Sequence, residues 1–219
     1  MTIVVRTLAD RIFDVIRERI VEGKIVVMEP VRQDALAAEL GVSKIPLREA
    51  LVRLEHEGLV TSRANRGWFV RPMSASEAEE IYHLRLAIEP AAAAYACVRA
   101  TDDDRQAVTE AFERLDAAAS AETRAEVAIR NREFHVALVR PGGRLLTTQL
   151  VERLEILAER YVIAHLQPAG REDRAHLEHR GILDTWIAGD ADQLHSMLTV
   201  HIAQTLDDLR NHFTASQTG

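Results

Sequence analysis

The chain has 219 residues, 47% hydrophobic and only 5% aromatic, which is typical of a helical globular protein rather than a sheet-rich one. Its net charge of −7 argues against a general polyanion-binding protein, and its apolar runs are too short to cross a bilayer, so we expect no membrane partner. A single cysteine excludes an intrachain disulfide, and no charged-then-apolar leader opens the sequence, so the expected location is cytoplasmic.

Charge divides the sequence into two parts. Residues 1–72 carry 12 Lys and Arg against 10 Asp and Glu, whereas residues 73–219 carry 15 against 24. Pro72 interrupts the helical pattern at the boundary between them. We therefore predict two domains, 1–72 and 73–219, of which the mildly basic first one contacts phosphate groups.

Three helices are predicted in the first domain. The first two lie at about residues 8–22 and 34–40, with a short strand or extended link over residues 24–28. The third begins after Ser43, whose hydroxyl is predicted to cap it, and ends at Gly58. Its apolar residues repeat on one face and leave the cationic side chains near its N-terminus free to point elsewhere. That arrangement is typical of the recognition helix of a helix-turn-helix.

A basic hairpin follows the third helix. Two short strands, at about residues 59–62 and 68–71, flank the turn sequence R-A-N-R-G. The hairpin contains three arginines and no acidic residue. Three helices and a basic hairpin indicate a winged helix-turn-helix that binds DNA; the alternative is a small helical domain with a solvated basic turn.

The stretch L-A-A-E-L-G-V-S-K-I-P-L-R-E-A-L-V-R-L-E-H-E-G-L-V, with R-G-W-F-V after it, resembles the N-terminal domain of GntR-type bacterial transcription regulators over about residues 8–70. The resemblance implies a homodimer that binds double-stranded, palindromic operator DNA. The expected DNA-binding residues are Arg32, Ser43, Lys44, Arg48, Arg53, Arg63, Arg66 and Gly67. Lys44 replaces the usual arginine, so a point charge stands where a bidentate guanine contact is expected, and the operator should differ there.

Six helices and no strand are predicted after Pro72. The first begins at Ser74 or Ser76 and ends at about residue 100, and the others cover about residues 101–119, 122–139, 144–165, 172–188 and 190–213. The predicted fold class is therefore mainly α: an N-terminal winged helix-turn-helix followed by an all-α six-helix bundle. A bundle of this size can enclose a ligand cavity.

Histidines lie on the apolar stripes of three bundle helices. Asn131 and His135 share one face at a spacing of i, i+4, and His179 and His201 lie on the stripes of the last two helices. Together they could converge on one divalent metal, because imidazole is a ligand for Zn, Ni, Cu and Fe. Alternatively, each histidine is a hydrogen-bonded core residue. The pattern alone leaves both interpretations open.

The segments R-L-A-I-E, F-H-V-A-L and E-H-R-G-I-L resemble the FCD ligand-binding domain of the FadR subfamily, and the helix count resembles its VanR-like branch. The resemblance implies a divalent metal, with Zn expected first and Ni or another ion as alternatives, bound by Asn131, His135, His179 and His201. It also implies a small carboxylic acid bound at the metal. Because the family usually has Asp at Asn131, we expect weaker metal binding and a stronger pull on an anion.

Arg85 is the candidate second contact for the carboxylate effector, because it lies on or beside the apolar stripe of the first bundle helix. The alternative is an ion pair with Glu89, which is four residues further along the same helix.

These observations favour a DNA-binding transcription regulator, expected to be a repressor. A small carboxylic acid is expected to modulate its binding to the operator. One alternative is a metal-dependent, hydrolase-like helical enzyme with an accessory winged helix. Against it, the histidine stripes supply no evident general base and the sequence contains no HExxH, so we expect no catalytic residues. Another alternative is a winged helix that binds protein, against which the acid-free wing argues.

Overall fold

The structure is a computed structural model that describes residues 7–21, 23–121, 124–166 and 170–217. The chain divides into two compact units, Met1–Pro72 and Met73–Gly219. Among the described helices, none combines the length and the apolarity needed to span a membrane.

The first unit contains the three helices and the hairpin predicted from the sequence, with boundaries shifted by at most two residues. The elements are α1 (Leu8–Val21), α2 (Gln33–Leu40), α3 (Lys44–His56), β1 (Val60–Arg63) and β2 (Gly67–Val70). A tight turn joins α2 to α3 because Gly41 adopts φ 65° and its N–H donates to carbonyl oxygens of the last turn of α2. This fixes α3 closely after α2, as a helix-turn-helix requires.

The third helix packs through the predicted apolar face. Its four buried residues are Leu47, Ala50, Leu51 and Leu54. Ser43 occupies the N-cap position, but its side chain makes no capping hydrogen bond, so that prediction was wrong. The reason is in the sequence: Pro46 stands three residues after the cap, where the N–H that a capping hydroxyl usually receives is missing.

The wing is an antiparallel pair in which Val60 faces Val70 and Arg63 faces Gly67. Asn65 and Gly67 close the turn with φ of 58° and 85°. The segment predicted as a short strand or link lies beside β2, where Val27 makes an isolated bridge to Val70.

The second unit contains six α-helices in its described residues, as predicted. They are α4 (Ala75–Cys97), α5 (Asp102–Ala121), α6 (Arg124–Val139), α7 (Leu145–Leu166), α8 (Arg171–Ala188) and α9 (Ala191–Gln217). Ser74 caps α4 by accepting a hydrogen bond from the N–H of Glu77 at 3.4 Å. Of the break predicted at residues 168–170, only Gly170 is described, with φ 81° at the start of α8.

The core of the bundle is built around Trp186, which is fully buried and donates its indole N–H to the carbonyl of Leu138 at 2.9 Å. Phe134, Ile182 and Leu194 belong to the same apolar cluster. This packing brings α6, α8 and α9 together, and these are the three helices that carry the inward histidines.

Candidate metal centre and nucleic-acid interface

The bundle brings His135, His179 and His201 together from α6, α8 and α9. All three are buried, and each presents one ring nitrogen such that these atoms lie within 4.8 Å of one another. The Nε2 atoms of His135 and His179 are 3.4 Å apart, and the ring centroids of His179 and His201 are 4.6 Å apart. We call this group the histidine cluster.

Asn131 lies one helical turn before His135 on α6 and is also buried, with 7% of its surface exposed. Its position on the helix face keeps it a candidate fourth ligand. The side chain supplies a neutral amide oxygen, whereas a carboxylate would add a negative charge.

Two carboxylates lie behind the cluster. Glu89, from α4, contacts Nδ1 of His135, and Glu178, from α8, lies 2.7 Å from Nδ1 of His201. An ionised carboxylate can only accept, so each imidazole donates from Nδ1 and, in its neutral form, keeps a lone pair on Nε2. The sequence interpretation considered Glu89 only as a partner of Arg85 and missed Glu178. The available signal was a repeated Arg-x-x-x-Glu spacing at Arg85 and Arg174.

Arg85 is buried and bound by two carboxylates. Its Nε donates to Glu89 Oε2 at 3.1 Å, and its Nη2 forms an ion pair with Glu155, a residue of α7 that the sequence interpretation missed. The ion pair with Glu89 considered from the sequence is therefore present. Because the guanidinium already has two carboxylate partners, an effector would have to displace one of them to use Arg85 as a clamp.

Burial controls ionisation around the cluster. It lowers the pKa of His135 to about 4, although Glu89 acts in the opposite direction. Burial and the neighbouring His201 lower the pKa of His179 well below its ordinary value. Burial alone would raise the pKa of Glu89, but the Arg85 guanidinium brings it below its ordinary value, whereas burial raises the pKa of Glu155.

These properties fit a divalent metal. Neutral imidazole is the form of histidine that coordinates metals, and both His135 and His179 are held neutral at pH 7. Three imidazoles suit Zn²⁺ or Ni²⁺ and leave coordination positions for an amide, water or an anion. Glu89, His135 and Glu155 form a second group with metal-ligating atoms in range, but Arg85 already provides the cation there.

Exposed cations line the N-terminal end of α3. Lys44 pairs with Asp34 of α2 at 2.5 Å between Nζ and Oδ1, and Arg48 Nε donates to Gln33 Oε1 at 3.4 Å. Ser43 is exposed beside Lys44. These three predicted DNA contacts therefore lie at one end of the helix, and contacts with the first turn of α2 hold the two cations.

The other predicted DNA-binding residues divide into two groups. Arg32 and Arg66 are exposed, Arg63 stacks over the ring of Phe69 at 4.5 Å, and Gly67 has the positive φ of the wing turn.

Arg53 is different, because its guanidinium pairs with Asp10 of α1 and covers the ring of Phe13 at 4.5 Å. These contacts hold α1 against α3, so we remove Arg53 from the proposed interface.

Comparisons with known proteins agree with this architecture. Residues 8–70 match the family "Bacterial regulatory proteins, gntR family", and residues 80–204 match the FCD domain. The chain is 31% identical to the Nta operon transcriptional regulator of Aminobacter aminovorans, over 83% of this chain and 84% of that protein. It is 29% identical to the HTH-type transcriptional repressor GlaR of Escherichia coli, over 85% and 89% of the two chains.

Solved structures show the same fold. Escherichia coli McbR/YncC superposes with a TM-score of 0.72 at 20% identity, covering 95% of this chain and 100% of that one. A GntR-family transcriptional regulator from Pseudomonas syringae pv. tomato gives a TM-score of 0.57 at 24% identity, covering 98% and 91%.

Proposed function

Because the chain belongs to the GntR family of bacterial regulatory proteins and carries an FCD domain, we propose that it represses transcription as a homodimer on a palindromic operator. The family and the matched relatives are transcriptional regulators, which argues against the hydrolase-like enzyme considered from the sequence. Some relatives are named repressors, which supports the proposed direction of regulation.

The proposed DNA-reading surface is the N-terminal end of α3. Ser43, Lys44 and Arg48 contact base edges in the major groove, where Lys44 exchanges Asp34 for a phosphate or a base acceptor. Arg63, Arg66 and Gly67 contact the backbone from the wing. Arg32, exposed at the start of α2, contributes a further phosphate contact.

In the bundle, we propose that the histidine cluster and Asn131 bind a divalent ion, for which Zn²⁺ is the leading candidate. The observation that carries this proposal is the trio of buried imidazoles, two of them held neutral, whose ligating atoms face one another. A metal bound by neutral ligands keeps its full positive charge and attracts a small carboxylate, which is the proposed effector. The acid regulates by binding one conformation of the dimer more tightly than the other and so changing the population that binds DNA.

The DNA-binding part of the proposal can be tested by selecting operators from random duplexes with the full chain. Fluorescence anisotropy then measures the affinity for the selected duplex and a scrambled one across a salt series. We expect a preference for the selected palindrome and a linear fall of log affinity with log salt concentration. Equal, salt-independent affinity for both duplexes would contradict the proposal.

A further inference from the structure

Two helices of the bundle carry the same arrangement of charged residues. On α4, Arg85 binds Glu89 at 3.1 Å, and Glu89 binds Nδ1 of His135 on α6. On α8, Arg174 forms an ion pair with Glu178 at 3.2 Å and donates a hydrogen bond to Asp208, and Glu178 binds His201 Nδ1 at 2.7 Å. Each arginine and glutamate are one helical turn apart, and each glutamate reaches a histidine of another helix. We call these the two Arg–Glu–His chains.

Both chains orient the imidazoles in the same way. Because Nδ1 donates to a carboxylate, the neutral form of His135 and of His201 carries on Nε2 the lone pair that a metal requires. Among the described residues, His179 instead places its Nε2 3.4 Å from Nε2 of His135. Within the described part of the chain, two of the three cluster histidines therefore have a carboxylate at Nδ1, and His179 has none.

Because Asn131 is neutral, the negative charge of these carboxylates beside the proposed ligands becomes more important. The cluster and Asn131 offer only neutral donors, so no ligand in the proposed set balances the charge of a divalent ion. A carboxylate that accepts from Nδ1 makes the imidazole a more basic ligand, and partners of this kind commonly contribute to metal affinity. Glu89 and Glu178 are placed to supply this effect from behind His135 and His201.

We propose that Glu89 and Glu178 are positioning residues that fix the tautomers of His135 and His201 and provide the ligand basicity that the neutral Asn131 does not. The inference rests on the metal site of the proposed function but not on the DNA contacts or the effector. The two glutamates differ in their exposure to solvent: Glu89 is 1% exposed, whereas the Glu178 side chain is 23% exposed. Solvent screens the second, so its removal has the smaller effect.

The test measures the affinity of the full chain for Zn²⁺ by competition with a chelator of known affinity. Glu89→Gln keeps the shape of the side chain and removes its charge, and we expect about 10-fold to 100-fold weaker Zn²⁺ binding. Glu178→Gln should weaken binding less. The matched control is Glu126→Gln, because Glu126 pairs with Arg130 at the same i, i+4 spacing on α6, and it should leave the affinity unchanged.

A second measurement separates positioning from general damage to the fold. Long-range ¹H–¹⁵N NMR correlations of the metal-free chain report the tautomer of each histidine. We expect Nδ1–H at His135 and His201 in the wild type and mixed tautomers after the matching substitution, because an amide can present either its oxygen or its nitrogen. Adding Asn131→Asp to Glu178→Gln should restore Zn²⁺ affinity by returning a charge to the site.

The outcomes distinguish the inference from the proposed function. A wild-type chain that binds neither Zn²⁺ nor Ni²⁺ contradicts the metal site itself. Wild-type affinity and unchanged tautomers in both glutamine variants contradict only the positioning role. Should Glu89→Gln fail to fold, the partly exposed Glu178→Gln carries the test, and its retention of full affinity would overturn the inference.

Discussion

Asn131 is the residue at which the proposed metal site departs from the ligand pattern expected for the family. The amide is buried on the same helix face as His135 and contributes no charge. Replacing it by Asp adds a carboxylate ligand, so we expect roughly tenfold tighter Zn²⁺ binding. The same charge should weaken the binding of a carboxylate effector to the metal-loaded protein. Calorimetric titration measures both affinities, and no change in either would remove Asn131 from the ligands.

Arg85 is expected to act mainly as the cation that neutralises buried carboxylates. Replacing it by Leu leaves Glu89 buried without its guanidinium, and the free energy of unfolding of the bundle should fall by about 3–5 kcal/mol. Urea unfolding measures this loss. Arg210→Leu provides the control, since it breaks an exposed pair with Glu79 and should change stability little. A fully stable Arg85→Leu variant with lost effector affinity would instead support the clamp.

The ionisation of His135 predicts how stability depends on pH. Its pKa is about 4 in the folded chain and about 6.5 in the unfolded one, so the unfolded chain binds more protons between these values. After treatment with a chelator, the contribution of His135 to the free energy of unfolding should be complete above pH 6.5. It should be lost as the pH falls to 4, at about 1.4 kcal/mol per pH unit. His135→Gln should show a shallower pH dependence in urea unfolding. Equal slopes would contradict this assignment.

At the residue scale, the sequence contains the ligand types but not the contacts between them. Asn131, His135, His179 and His201 could be predicted as inward-facing because each falls on an apolar helical stripe. Their partners could not, because Glu89 and Glu178 come from other helices, and a charged residue on a helix is usually solvated. Only packing places Glu178 against His201.

At the element scale, helix starts show where a sequence rule can mislead. Ser43 and Thr7 both precede helices, but only Thr7 forms a capping box, accepting from the N–H of Asp10 at 3.1 Å. Thr7→Ala should therefore lower the free energy of unfolding of the first unit by about 1 kcal/mol, whereas Ser43→Ala should cost far less. Chemical denaturation compares the two variants, and an equal loss would contradict the role given to Pro46.

The elements themselves were largely predictable, since glycine, proline and the apolar period mark the helices clearly. The helices in the described residues follow the sequence prediction within a few residues. Arg53 was harder to interpret, because its position on α3 also fits a DNA contact. Its actual partners, Asp10 and Phe13, depend on how α1 packs against α3.

At the scale of the whole molecule, family membership and the histidine cluster support one account. The protein binds an operator, and an acid bound at the metal controls its affinity for that DNA. The sequence predicts both components, but it cannot identify the acid. Screening metal-loaded protein against small carboxylic acids supplies the ligand for a direct test. In that test, His179→Ala serves as the variant with a disabled cluster, because it removes one of three imidazoles whose ring centroids lie 4.6 to 5.4 Å from one another.

The most direct measurement is the affinity of the Zn²⁺-loaded chain for its selected operator, by anisotropy, with and without the screened acid. We predict that the acid weakens operator binding by about 5-fold to 150-fold in the wild type and has no effect on His179→Ala, which still binds the operator. An equal response of both proteins to the acid, or operator binding that no metal-bound acid changes, would contradict the account.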